Sequence, residues 1–299
     1  MKWPKSVIHL KPEYESQKER KMSEPDDLSD NHRLAIDDIC SRAKSNIDLM
    51  IMFVRPDYEN PLEYSLHQRT PDRDILSVEC HVFDARYLGV FRELFKRLRI
   101  DCVILEFAMQ DSFVDDSWLK MIFANKHLRH FQLSVDIIDS FLEHGLSGYI
   151  RGSKLTSLIL SNYEIYLTTE DSILDLVCSL DGMELESLTI EGYRFPPYGF
   201  ELFYKTMMNL PKLRKLHIES CFLADDHQVR ALCAMIERTK LINIHVSRVG
   251  LSRRHLPWLA ESIQKRLDFE EFSVTQNDEL SIDDVMDLSN RIGYSHPSV

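Results

Sequence analysis

Acidic pairs, twelve histidines and six cysteines are the residues of this 299-residue chain whose types could do chemistry. Paired carboxylates serve general acid–base work or hold hard metal ions. Four such pairs are Asp115-Asp116, Glu170-Asp171, Asp225-Asp226 and Asp283-Asp284. Each falls near the middle of a repeat unit opened by an apolar window set out below, where a helix is due to begin. Acids there accept the free N–H groups of a first helical turn and oppose its dipole, so capping is their expected work. The histidines form no H-E-x-x-H motif, and no His/Cys set has zinc-ligand spacing, so no metal is expected. The cysteines form no C-x-x-C pair; Cys80, Cys102 and Cys221 fall at core-like positions and read as small apolar fillers.

Only nine glycines occur, with neither G-x-G-x-x-G nor G-x-x-x-x-G-K-[ST], so no nucleotide cofactor is expected. The one glycine cluster, within residues 145–154, is expected to end a helix and turn the chain into the next strand. The loop Phe195-Pro-Pro-Tyr198-Gly-Phe200 reads either as an exposed contact patch or as packing between units. The spacing forces no Ser/His/Asp or Cys/His set together, so the chain is read as non-enzymatic. A net charge of −12 opposes nucleic acid and anionic membrane, and no basic stripe with interleaved aromatics appears. Residues 1–20 lack a secretory apolar run, and the longest such run, Leu49–Val54, is too short to span a bilayer. The expected setting is cytoplasm or nucleus, with another protein as partner.

The elements that position these residues come from a repeat. Apolar residues recur at positions 1, 4 and 6 of a six-residue window. The windows are Ile75-Val78-Cys80, Cys102-Leu105-Phe107, Leu128-Phe131-Leu133 and Leu155-Leu158-Leu160. They continue as Leu185-Leu188-Ile190, Leu213-Leu216-Ile218, Leu241-Ile244-Val246 and Phe269-Phe272-Val274. Successive starts lie 27, 26, 27, 30, 28, 28 and 28 residues apart, and Ile47-Met50-Met52 is a weaker ninth copy. Between windows the period becomes helical, as in Leu88, Phe91, Leu94, Phe95 and Leu98 or Val229, Leu232, Cys233 and Ile236. Each unit is a short strand and a helix, neither of which can bury its apolar face alone. Stacking buries both.

The segment Leu213-Arg-Lys-Leu216-His-Ile218-Glu-Ser-Cys221-Phe-Leu223 reads L-x-x-L-x-L-x-x-C-x-L throughout. It resembles a leucine-rich repeat, and the 28-residue period with a full helix resembles the ribonuclease-inhibitor-like class. The resemblance covers about residues 47–293. It implies an α/β fold, a right-handed solenoid or horseshoe with a parallel sheet on the concave face and helices on the convex face. It also implies that position 9 hydrogen-bonds the loop after the strand. Tyr163, Tyr193 and Val249 replace the usual Cys or Asn there, and Asn277 restores it, so irregular loops are expected.

Residues 1–31 read as a disordered charged tail, 32–293 as one repeat domain and 294–299 as a short tail. Arg33–Lys44 looks like a capping helix or the helix of a degenerate first repeat, 55–73 like an irregular proline-bearing stretch, and Ser281–Ile292 like the closing helix. Positions 2, 3, 5 and 7 of each window should point away from the core. The candidate partner-binding residues on that face are Glu79, His81, Glu106, Arg129, His130, Glu186, Arg214, Lys215, His217, His245, Glu270 and Glu271. His217 and His245 share position 5 of neighbouring repeats and should be lateral neighbours at about 4.8 Å. The expected function is a protein–protein interaction scaffold. The resemblance also offers substrate recognition for a cullin-type ubiquitin ligase, with an adaptor site near Arg33–Lys44. A third possibility is regulation of a GTPase or another enzyme, with Arg194, Arg248 or Arg253 on a rim loop.

Overall fold

The computed structural model describes residues 30–43, 47–53, 63–68, 75–80, 88–98, 100–106, 116–135, 145–163, 169–221, 225–266 and 268–292. The expected tails lie outside these residues, except that Asp30 and Asn31 already belong to helix α1 (Asp30–Ala43). Then follow β1 (Ile47–Phe53), β2 (Glu63–Gln68), β3 (Ile75–Cys80), α2 (Leu88–Arg97), β4 (Cys102–Glu106), α3 (Asp116–Phe123), β5 (His130–Val135), α4 (Leu146–Arg151) and β6 (Ser157–Asn162). The chain continues as α5 (Glu170–Ser179), β7 (Ser187–Glu191), α6 (Pro197–Met208), β8 (Lys215–Glu219), α7 (Asp226–Arg238), β9 (Asn243–Ser247), α8 (Leu256–Gln264), β10 (Glu271–Thr275) and α9 (Ile282–Ile292).

The ten strands form one sheet in the order β10-β9-β8-β7-β6-β5-β4-β3-β1-β2. Every pair is parallel except β1 with β2. This is an α/β architecture with an open parallel sheet and alternating helices, compatible with a repeat solenoid. Two backbone features recur in step with the units. First, one carbonyl just before each of six strands accepts two N–H groups from the next unit. Asp101 takes Arg129 and His130, Arg129 takes Thr156 and Ser157, and the series runs on to Ile242 with Glu270 and Glu271, at 2.7–3.1 Å. Second, Gly192, Ser220, Arg248 and Gln276, at equivalent places in successive units, all have positive φ.

The strand alternation and the helical stripes close on one continuous core. Leu158, Leu160, Leu188, Ile218 and Val246 are fully buried, and so are Leu185 and Leu241 just ahead of their strands. Burying each such side chain is worth about 1.5–3 kcal/mol, which offsets the entropy of ordering short elements that have no core of their own. Helix α1 joins this core through Ile36 and Cys40 and is tied to α2 by an ion pair from Arg97 to Asp37 at 2.8 Å. The acids placed at helix starts are found there, apart from Asp115, which lies outside the described residues. Asp225 Oδ1 accepts the Gln228 N–H at 2.9 Å ahead of α7. Glu170 and Asp171 open α5 behind the Thr169 cap, and Ser281 and Asp284 cap each other at α9.

Three expectations need correction. The first windows are out of register. Val103 and Leu105 pair with Phe131 and Leu133, so Ile100, not Cys102, takes position 1, and Val103 is buried in the core. Likewise Leu76 and Val78 pair with Val103 and Leu105, and Leu49 pairs with Leu76. Position 4 is then Leu49, Leu76, Val103, Phe131, Leu158, Leu188, Leu216, Ile244 and Phe272. The cause is that C-V-I-L and I-D-L-M-I-M-F are apolar at nearly every position, so several registers satisfy the pattern equally. Second, the stretch 55–73 is not wholly irregular: it contains the antiparallel strand β2, whose Tyr64 and Leu66 alternate with polar residues. Third, the glycine cluster does not simply end a helix. Gly145 precedes α4, Gly148 lies within it and Gly152 follows it.

Candidate functional site

The register sorts the outward residues into rows that cross the sheet. The rim row lies just ahead of the strands; Arg129, Glu186 and Arg214 belong here, with carbonyls that take paired N–H groups, and so does Glu270 at the equivalent place in the last unit. This corrects their expected place on the strand face: the chain becomes a strand only one residue later, so they border the sheet instead of covering it. His130, Lys215 and Glu271 occupy the next row, at the strand starts. His217 and His245 share the middle row with Gln132, Ile159, Thr189 and Ser273. Glu79 and Glu106 are register partners in the far row, which continues through Ser134, Ser161, Glu191, Glu219 and Ser247. His81 lies outside the described residues.

The best-defined part of this surface spans β8 and β9. The His217 and His245 rings meet edge to face with centroids 4.2 Å apart. His217 Nε2 is 3.1 Å from Glu219 Oε2, and Arg248 folds back from the turn after β9 to pair with Glu219. His245 Nε2 is 3.3 Å from the Thr275 hydroxyl. Burial holds the His217 imidazole below its ordinary pKa, although Glu219 pulls the other way. Burial also lowers that of His245, and charge on His217 adds to this while Glu219 and Glu271 oppose it. Both rings are therefore neutral at neutral pH, and the patch presents two imidazoles beside a neutralised carboxylate. Sequence spacing found the histidine pair. It missed Arg248 as the partner of Glu219, though their separation of one repeat plus one residue was a usable signal.

The rest of the face is held by neighbours of like kind. Asn243 Nδ2 donates to Glu271 at 2.9 Å, and Arg214 Nη1 donates to the Lys240 carbonyl at 3.0 Å. Arg129 Nη1 donates to the Lys126 and Leu128 carbonyls. Of the other rim arginines, Arg194 is exposed and Arg253 pairs with Asp284 at 3.2 Å.

Position 9 behaves as the resemblance implies where its residue is polar. The buried Asn277 carboxamide accepts the Val249 and Leu251 N–H groups at 3.0 and 3.1 Å. Cys221 is wholly buried and places its thiol toward the Glu219 and Ile190 carbonyls, at 3.2 and 3.5 Å. Tyr163 is exposed, and Asn162 does the work one residue earlier, donating to the Gly192 carbonyl at 3.1 Å. Burial pushes the Cys221 thiol up to about 12, so it is an inert filler.

One expectation about chemistry is overturned. The structure does bring a serine, a histidine and an aspartate together. Ser252 Oγ lies 3.2 Å from His255 Nδ1, and His255 Nε2 lies 3.2 Å from Asp226 Oδ1. The geometry is that of a helix start. Nδ1 also accepts the Ser252 N–H at 3.0 Å, and the hydroxyl caps the His255 backbone, which completes a capping box. Nε2 lies 3.2 Å from both Asp226 Oδ1 and the Arg254 Nε that donates to it, and Arg254 also pairs with Asp226 at 2.9 Å. The hydroxyl is spent on the cap and is no free nucleophile. Phe195 and Phe200 are buried and meet at 5.6 Å, which makes their loop packing. Its Tyr198 is exposed and donates to Glu170 at 3.2 Å.

Among the described residues no group of three or more metal-ligating side chains converges, and no helix is long and apolar enough to cross a membrane. No known family and no curated protein matches the chain.

Proposed function

We propose that this chain is a divergent leucine-rich-repeat horseshoe that binds a protein partner across the outward rows of its sheet. The observation that carries this reading is the registered ladder itself: seven consecutive parallel strands, β4 to β10, present the same three positions in straight rows. Such rows make a broad rigid surface whose side chains serve contact. The recurrent left-handed residue after β7 to β10 and the Asn277 and Cys221 contacts support the repeat class. The apolar residues Ile36 and Cys40 of α1 are spent on the core, which favours a capping helix over an adaptor-binding one.

The test is affinity capture with full-length protein. Wild type is compared with Arg214→Ala/Lys215→Ala/His217→Ala/His245→Ala, and with Glu201→Ala/Lys205→Ala on the exposed side of α6 as control. The face variant is expected to lose partners that the control keeps, with both melting as single cooperative units. Identical partner sets for all three would overturn the reading.

A further inference from the structure

We infer that the cleft at the rim between the turns ahead of β5, β6 and β7 seats a phosphate monoester carried by the protein partner. This rests on the scaffold reading and adds the chemistry of what is recognised. The cleft encloses about 480 Å³, and Arg129, Arg151, Ser153, Lys154 and Thr156 line one part of it. Asp181, Gly182, Met183 and Glu184 form the rest. It lies beside the largest interval in the array, that between the register partners Leu158 and Leu188, and beside α4, which has only 6 residues.

Three cations and two carboxylates look balanced, but their partners say otherwise. Asp181 Oδ1 accepts the Asn209 amide at 2.8 Å, and Glu184 pairs with Lys212 at 3.1 Å, both in the next turn. Arg129 spends Nη1 on two carbonyls and meets no carboxylate. Among the described residues Arg151 and Lys154 have no ion pair. Three cations without an ion pair thus face the cleft against one carboxylate, Asp181, whose hydrogen-bond partner is a neutral amide, in a chain of net charge −12. The Ser153 and Thr156 hydroxyls donate to the Ile150 and Arg129 carbonyls. The C-terminal carbonyls of α4 do not spoil it for an anion. The Gly148 carbonyl takes the Gly152 N–H, and the Ile150 carbonyl takes both the N–H and the hydroxyl of Ser153.

Two guanidinium groups and an ammonium suit a dianion with three acceptor oxygens, because charge-assisted hydrogen bonds are the strong ones and the arginine fork matches phosphate. The wall argues against a free small metabolite. It has no aromatic side chain, and Arg151, Lys154, Asp181, Gly182 and Glu184 are all exposed, whereas small-molecule sites are enclosed and mostly apolar. A phosphorylated side chain whose backbone continues onto the adjoining rows gains its remaining affinity there. The rim residue Arg129 belongs to both surfaces.

The test is fluorescence anisotropy on the full chain with three probes. These are a degenerate nonapeptide pool with central phosphoserine, the same pool unphosphorylated, and inorganic phosphate as competitor. The phosphorylated pool is expected to bind at least about tenfold more tightly. Arg151→Gln/Lys154→Gln should abolish that difference while melting unchanged, and inorganic phosphate should compete only at millimolar levels. Equal binding of the two pools, or an undiminished preference in the double variant, would overturn the inference. So would competition by inorganic phosphate at the concentration of the peptide pool. Affinity capture separates this from the scaffold reading. If partners depend on Lys215 and His217 but survive phosphatase treatment and the cleft variant, the face stands and the cleft falls.

Discussion

The two ends of the sheet obey the same hydrogen-bonding rule with unlike fidelity. From β7 to β10 the units follow one another at a constant interval, and each strand closes with a left-handed residue: Gly192, Ser220, Arg248 and Gln276. The N–H of the first three reaches forward to the next strand, at Glu219, Ser247 and Thr275. At the other end β1 is followed by the antiparallel β2 and then by β3, whereas from β3 on a helix follows each described strand. The border between the regimes is β6. Asn162 stays in the strand, and the next N–H, from Tyr163, reaches back to Val135. Repetition in this chain therefore resides in the turn after the strand as much as in the apolar residues within it.

Gly192 is where the two regimes collide, and it offers the largest test. A Cβ built there would overlap the Asn162 carbonyl oxygen, on top of the cost of positive φ. Gly192→Ala is expected to lose roughly 3–5 kcal/mol in urea unfolding. A loss below about 1 kcal/mol would mean that the β6 turn relaxes readily, and the border would dissolve. Next is Asn277, whose removal leaves the buried Val249 and Leu251 N–H groups unpaired. Asn277→Ala should cost about 2–3 kcal/mol and Cys221→Ala, with only weak sulfur contacts, clearly less. Equal losses would show that position 9 acts through packing alone.

Smaller effects sharpen the turn rule. Ser220 and Gln276 hold φ of 51° and 50° without being glycine. Ser220→Gly and Gln276→Gly should each be neutral or stabilising, by up to about 1 kcal/mol, read as a rise in Tm. Arg248→Gly should not follow them, because its guanidinium neutralises Glu219. A loss at Ser220 equal to that at Gly192 in the opposite substitution would show that side-chain contacts, not conformation, choose these residues.

The difference between the ends also explains what the residues revealed. L-H-I in β8 and I-H-V in β9 separate inward from outward side chains by polarity, so their register, their core and the His217–His245 contact could be read directly. In β4 nothing polar marks the face until its last residue, Glu106, and in β1 only Asp48 does, so several registers fit there. The rim row was misplaced because its position relative to the strand start depends on hydrogen bonds to the preceding unit. The basic cleft gathers residues from three turns, one of them lengthened. The Ser252–His255–Asp226 contact arises because Asp226 opens α7 one unit before the Ser252 cap. Apolar spacing reports stacking, whereas these features depend on how successive turns meet.

The smallest effect expected is a pH dependence of the histidine pair. Both imidazoles have folded pKa values below the ordinary 6.5 because burial penalises their charged form. The unfolded chain therefore takes up protons that the folded one refuses as pH falls from 6.5 toward the folded values. The pair's contribution to stability is complete above that range and is lost within it. Glu219 and Glu271 act against this, and both rings remain partly open to solvent, so the slope is shallow. Tm should fall slightly from pH 7 to pH 5.5, and less in His217→Gln/His245→Gln than in wild type. An identical fall in both would mean that Glu219 cancels the burial, so that the β8–β9 pair takes up protons in the folded chain as readily as in the unfolded one.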